Sequence, residues 1–160
     1  MAQLTESQAP ALIRAATLFD AGAISRLIEP FARADQMLPR PIADIIENLR
    51  DYKVAFDGDE LVGVAALHLM PPDTAEVRAL AVADSWQGRG LGRELVERCL
   101  DEARSLGIRQ AFTLTLQPGF FERLGFTVSE RDSLTHKVWT ECYKCPKYDR
   151  CDEIAMTVDL

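Results

Sequence analysis

No apolar stretch in the 160 residues approaches the roughly 18 consecutive positions that a membrane-crossing helix needs. The opening "MAQLTESQAP" lacks the basic start and apolar run of a secretory signal, which predicts a cytoplasmic protein with no membrane partner. In that compartment the four cysteines are expected as thiols or metal ligands rather than structural disulfides. Positive charge is also short. Lys and Arg number 18 against 25 Asp and Glu, a net charge of −7, and this excludes a general nucleic-acid-binding surface. Low-complexity tracts, internal repeats and dividing linkers are lacking too. The expectation is therefore one domain over 1–160, with a cysteine-containing loop insertion at 130–152.

What is present alternates between strand and helix patterns. "ALIRAAT" reads as a strand, and Thr17 with Asp20 forms a capping-box pattern ahead of helical "AGAISRLIEPFARA". Ile24, Leu27, Ile28 and Phe31 mark that helix's buried face, and Pro30 is expected to kink it or end it early. "QMLPRP" is a loop. "IADIIENLRDY" reads as a short helix with Ile42, Ile45, Ile46 and Leu49 on one side. "KVAF" and "LVGVAALHLM", joined through Asp-Gly, predict a hairpin. "AEVRALAV" reads as a strand with Val77, Ala79 and Ala81 opposite Glu76, Arg78, Leu80 and Val82. Leu91, Leu95, Cys99 and Ala103 then recur at helical steps until Gly107. "QAFTLTL", "PGFFERLG", "FTVSE" and "EIAMTV" close the pattern as strand, helix, strand and strand. The order indicates an α/β sheet with antiparallel hairpins and at least one right-handed crossover.

The segment "SWQGRGLGRELVERCL" places three glycines and two arginines at the start of the crossover helix. A helix start carries unpaired N–H groups and partial positive charge, and glycines leave those amides approachable, so a phosphate or pyrophosphate suits the place. The alternative is a glycine turn that merely packs a helix closely. A P-loop is excluded because no lysine follows Gly92, and the spacing of Gly88, Gly90 and Gly92 fails the dinucleotide fingerprint.

Gln87-Gly88-Arg89-Gly90-Leu91-Gly92, preceded by "LAV", instead resembles the acetyl-CoA loop of the GNAT superfamily of N-acyltransferases, written Q/R-x-x-G-x-G/A. "PGFFERLGF" is similar to that family's late helix, and the element order agrees. The resemblance implies a mixed, mostly antiparallel central sheet with helices on both faces, and a homodimer. It implies acetyl-CoA as co-substrate, with the pyrophosphate on the amides of Gln87, Gly88, Arg89, Gly90, Leu91, Gly92 and Arg93. The pantetheine arm would lie along the strand at Leu80, Ala81 and Val82. Within the superfamily, "MLPRPIADIIENLRDYKVA", "VGVAALH", "AEVRALAV", "ARSLGIRQAFTLT" and "FFERLGF" resemble the short, acetyltransferase-only N-acetylglutamate synthases. That points to acetylation of the α-amine of L-glutamate, the first step of arginine biosynthesis.

A dicarboxylate acceptor needs cations, and arginine's planar fork suits a carboxylate. Arg40 stands where the family places a substrate-binding arginine, between prolines Pro39 and Pro41 that stiffen the loop; the alternative is a solvated surface side chain. Arg78 either holds a carboxylate or pairs with Glu76. Lys137 and Arg150 are further substrate candidates, with surface charge as the alternative. Glu76 occupies the position where several superfamily members carry a general base, unless it serves only as a salt-bridge partner. A backbone N–H at Leu80, Ala81 or Val82 is the candidate oxyanion donor. The superfamily's late-helix tyrosine is replaced here by Phe121, which has no proton to give. Other acceptors remain in view: another small amine, a protein N-terminus, or none at all if the domain only senses acyl-CoA.

Cys142-x2-Cys145-x5-Cys151 resembles half of a zinc site, with His136 nearby at a spacing that matches no trusted motif. A structural zinc, a redox-sensitive pair and plain packing are the three readings. Cys99, on the buried face of its helix, reads as core.

Overall fold

The structure is a computed structural model and describes residues 10–134 and 151–160. Seven strands form one sheet in the order β1-β2-β3-β4-β5-β7-β6. These are β1 (Leu12–Ala15), β2 (Tyr52–Asp57), β3 (Glu60–Met70), β4 (Thr74–Val82), β5 (Gln110–Thr115), β6 (Thr127–Val128) and β7 (Ile154–Asp159). Among the described residues only β4 and β5 pair in parallel; every other neighbour is antiparallel. The mixed, mostly antiparallel sheet is thus as expected. Its last strand enters between β5 and β6.

Helices cover both faces. On one, α1 (Ala21–Arg33) and α2 (Ile42–Glu47) bury Ile24, Ile28 and Ile45 against Tyr52, Val54, Val64 and Ala66. On the other, α3 (Leu91–Ser105) and α4 (Pro118–Glu122) bury Leu95, Val96, Cys99 and Phe121 against Ala55, Val62, Ala65 and Leu67. The four-residue spacing from Leu91 to Ala103 is the buried stripe of α3, and Gly107 carries the positive φ (78°) that ends it. The capping box at Thr17 is present: the buried Asp20 carboxylate accepts from the Thr17 N–H at 2.7 Å and from both Arg14 Nη atoms at 2.7 and 3.0 Å.

Three expectations need correction. Pro30 neither ends nor shortens α1, which continues to Arg33. It lies in the last turn, where the missing N–H removes one helical bond, while its own carbonyl still accepts from the Ala34 N–H at 3.1 Å. The second helix buries only Ile45; Ile42 and Ile46 are exposed, and the chain tightens into a 3-10 turn at Leu49–Asp51 before the periodic face can continue. The alternation assigned to β4 also fails. Ala75 and Val77 pack toward α3, but Ala79 and Ala81 pack toward α1.

The cause is a β-bulge. Arg78 pairs with Ala66 and Ala81 with Val64, so Ala79 and Leu80 together oppose Ala65. Ala79 takes a positive φ of 54° to do so. One inserted residue moves everything after it to the other face.

Candidate functional site

β4 and β5 separate soon after they meet. Their parallel ladder runs only from Thr74↔Gln110 to Glu76↔Phe112. At the apex the Thr113 hydroxyl donates to the Val77 carbonyl at 2.9 Å, a side-chain bond where a ladder bond would otherwise continue. Beyond it the strands form the two walls of a cleft of about 1280 Å³, lined by residues 77–82 on one side and 113–117 on the other. The strand ahead of the glycine loop is therefore splayed from its parallel neighbour. So the backbone at Leu80, Ala81 and Val82, the candidate pantetheine and oxyanion contacts, borders open space next to the bulge.

At one end of this cleft stands the glycine loop. Gly88 and Gly90 have φ of 76° and 83°, and a Cβ at either would meet nothing within 4 Å. Left-handed backbone, not crowding, is what requires glycine there. Gly92 differs: its φ is ordinary and a Cβ would make normal contacts of 3.5–3.7 Å with Phe120 and Val82. The first helical bond of α3 is the Glu94 N–H to the Gly90 carbonyl at 3.0 Å, so the amides of Leu91, Gly92 and Arg93 precede the ladder. Gln87 ties the loop to the strand, its amide donating to the Val82 carbonyl at 3.1 Å and to Asp84 at 3.2 Å. Arg93 lines the cleft and pairs with Glu97 at 2.9 Å. Arg89 does not line it; its guanidinium lies 5.0 Å from the Trp86 ring centroid.

The other end lies on the α1/α2 side of the sheet and gathers charge. Arg40, held in its proline-flanked loop, is largely buried and stands 3.6 Å from Asp44. Arg78 and Glu76 are both buried and 3.8 Å apart. All four line the same cleft, joined by Asn48 and His68. Arg40 Nε and Asp44 Oδ2 are buried with no hydrogen-bond partner among the described residues. Tyr52 lies beneath them, its phenol pushed above the usual range by burial.

The structure therefore brings Arg40, Glu76 and Arg78 together and opens their chamber onto the loop. Phe121 is buried, edge-on to Phe120 at 5.0 Å and to Phe126 at 5.1 Å, and lines the cleft as well. Cys99 is fully buried, its thiol pushed up to about 12 by desolvation, which suits inert core. Cys151 is half-buried and lines the cleft with Glu153 and Arg131. Among the described residues no group of three or more His, Cys, Asp or Glu could hold a metal. Lys137, Arg150, Cys142, Cys145 and His136 lie outside the described residues. No helix among the described residues is long and apolar enough to cross a membrane.

Several cleft residues carried no assignment in the sequence. His68 and Asp44 are the clearest, with Asn48, Thr113, Arg123 and Arg131. A signal for His68 exists, since it is the one polar side chain in the apolar run "LVGVAALHLM".

The strand, glycine loop and helix beside a splayed parallel pair fit the acetyltransferase class that the sequence resembles, and related proteins point the same way. The acetyltransferase (GNAT) family matches residues 21–126, and the chain belongs to that family. An uncharacterised N-acetyltransferase of Chlorobaculum tepidum is 40% identical over 92% of this chain and 96% of its own length. The amino-acid acetyltransferase of Mycobacterium tuberculosis is 33% identical over 86% of this chain and 79% of its own. Among solved structures, N-acetylglutamate synthase from Neisseria gonorrhoeae, complexed with coenzyme A and N-acetyl-glutamate, superposes with a TM-score of 0.86 at 25% identity. The match covers 96% of this chain and 36% of that larger one.

Proposed function

We propose that the protein transfers an acetyl group from acetyl-CoA to the α-amine of L-glutamate. The observation that carries this reading is the single cleft joining the open glycine loop to a chamber holding Arg40, Arg78 and Glu76. The amides of Gly88, Gly90, Leu91, Gly92 and Arg93 take the pyrophosphate, and Gly90 lets it approach without a Cβ in the way. Pantetheine follows the unpaired edge of β4, which delivers the thioester to the bulge. There a backbone N–H at Leu80 or Ala81 stabilises the oxyanion.

In the chamber, Arg40 binds a carboxylate of the acceptor. Asp44 stands beside it as an ion-pair partner at 3.6 Å. Arg78 offers a second cation. Glu76 removes a proton from the acceptor ammonium, without which the nitrogen has no lone pair to attack with. With Phe121 in place of a hydroxylated side chain, the thiolate takes its proton from the acceptor nitrogen as the intermediate collapses, or from water. The 33% identity to an amino-acid acetyltransferase supports the acceptor class.

The experiment is thiol release from acetyl-CoA with L-glutamate, L-glutamine, L-aspartate, L-arginine and spermidine offered separately, with the protein's own thiols blanked. Saturable turnover with glutamate, lost in Arg40→Ala, is expected. Turnover only with another amine would keep the transferase and discard the acceptor. Tight acetyl-CoA binding with no turnover on any amine would make the domain a sensor.

A further inference from the structure

The chamber contains a second acid-base unit that the reading above does not use. His68 on β3 pairs in register with Glu76 on β4, so the two side chains emerge side by side on one face of the sheet. Both line the cleft. Behind His68, its Nδ1 lies 2.6 Å from Asp51 Oδ2 at the end of the 3-10 turn. A carboxylate only accepts, so the hydrogen of this contact sits on Nδ1. Both members are partly buried, at 25% and 21% side-chain exposure, so the contact is sheltered without being sealed.

We propose that His68, oriented by Asp51, is the group on which the proton removed from the acceptor amine comes to rest, passed to it through Glu76. This rests on the acetyl-transfer reading. One N–H bond of the ammonium breaks and an Nε2–H bond forms, leaving a neutral amine and an imidazolium paired with Asp51. The amine attacks the thioester carbon. As the intermediate collapses, the C–S bond breaks and a second proton leaves nitrogen for the thiolate, giving amide and CoA thiol. The imidazolium then returns its proton to solvent, so each turnover releases one proton net.

The chemistry explains why a carboxylate alone is an inefficient terminus. Carboxylates hold protons weakly near neutrality, whereas imidazole changes charge in that range. Among the described residues, the charged and titratable groups around His68 are Asp51 from the 3-10 turn, Glu76 and Arg78 from β4, Tyr52 from β2, Arg40 and Asp44 from the α2 side, and Arg131, Cys151 and Glu153 along the same cleft.

His68→Asn keeps a donor for Asp51 and removes the proton acceptor; His68→Ala opens space for added imidazole. Parent turnover on the amine panel is measured first and tests the acetyl-transfer reading by itself. A parent with no turnover overturns that reading and this inference together. With an active parent, both variants are expected to lose about 100-fold in kcat with KM little changed. The acid limb of the parent's pH profile should vanish in His68→Asn, and imidazole should restore His68→Ala. Retention of that limb, a loss confined to KM, or a failure of imidazole to rescue a variant that still binds CoA and melts as the parent does would overturn the proposal.

Discussion

Two clusters of buried charge sit on one sheet and are built to opposite standards. At the β1–α1 corner, Asp20 is 5% exposed and takes a two-pronged contact from Arg14 at 2.7 and 3.0 Å, plus the Thr17 amide at 2.7 Å and hydroxyl at 3.2 Å. In the chamber, Glu76 is 4% exposed, yet its contact with Arg78 is 3.8 Å, and Arg40 meets Asp44 at 3.6 Å. Burying charge is costly unless hydrogen bonds repay it, so the corner is the arrangement that folding favours. The two ion pairs of the chamber stand farther apart than those of the corner, in a cleft that opens to the glycine loop.

Glu76→Gln should break the comparison most visibly. It keeps size and polarity while removing the base, and kcat should fall by about 100- to 10,000-fold. The melting temperature should hardly move, because the buried side chain keeps its shape and its capacity to hydrogen-bond. A variant that melts far below the parent would place Glu76 with the structural pairs instead.

Asp20→Ala is the converse and next in size. It should cost about 2–3 kcal/mol of stability by stranding Arg14 and the Thr17 amide, with kcat unchanged in the fraction that stays folded. Asp20→Asn sharpens this with pH. Hydrogen bonding from Arg14 holds the Asp20 carboxyl below its usual range in the folded chain. Its contribution is therefore complete above the unfolded carboxyl value of about 4 and is lost as pH falls through the lower folded value. Urea titrations between pH 2 and 7 should show a shallower acid-side loss for Asp20→Asn than for the parent.

Arg40→Ala follows, with about a 10- to 100-fold loss in kcat/KM for glutamate and little change in CoA affinity. Calorimetry with CoA alone separates the two. A variant that loses CoA as well would show that Arg40 holds the loop and not the acceptor.

How much of this was legible in the sequence depended on range. The stripe from Leu91 to Ala103, the Thr17 capping box and the Gly88–Gly92 loop are local patterns, and each lies where its spacing placed it. The bulge at Ala79 had no such signal: nothing in "VRALAV" marks an alanine for positive φ, which the pairing with β3 imposes. His68 and Asp51 meet across 17 residues only because a 3-10 turn and a hairpin bring them together. The residues of the chamber come from separate segments, and register, not spacing, assembles them.

Gly92→Ala gives the smallest effect and separates folding from binding within one residue. A Cβ there would meet Phe120 and Val82 at ordinary distances, and the backbone is helical, so the folded chain has room for it. Alanine favours helix over glycine by up to about 1 kcal/mol, so the variant should melt slightly above the parent. If the glycine serves only to let α3 pack, that gain should come with unchanged kinetics. If the amides at its start receive a pyrophosphate, the methyl obstructs the approach, and KM for acetyl-CoA should rise several-fold while stability improves. Gly90→Ala is the control, because its φ of 83° makes alanine costly for folding whatever binds. A chain that becomes more stable and binds CoA less well at position 92 alone would show that the glycine is there for the ligand.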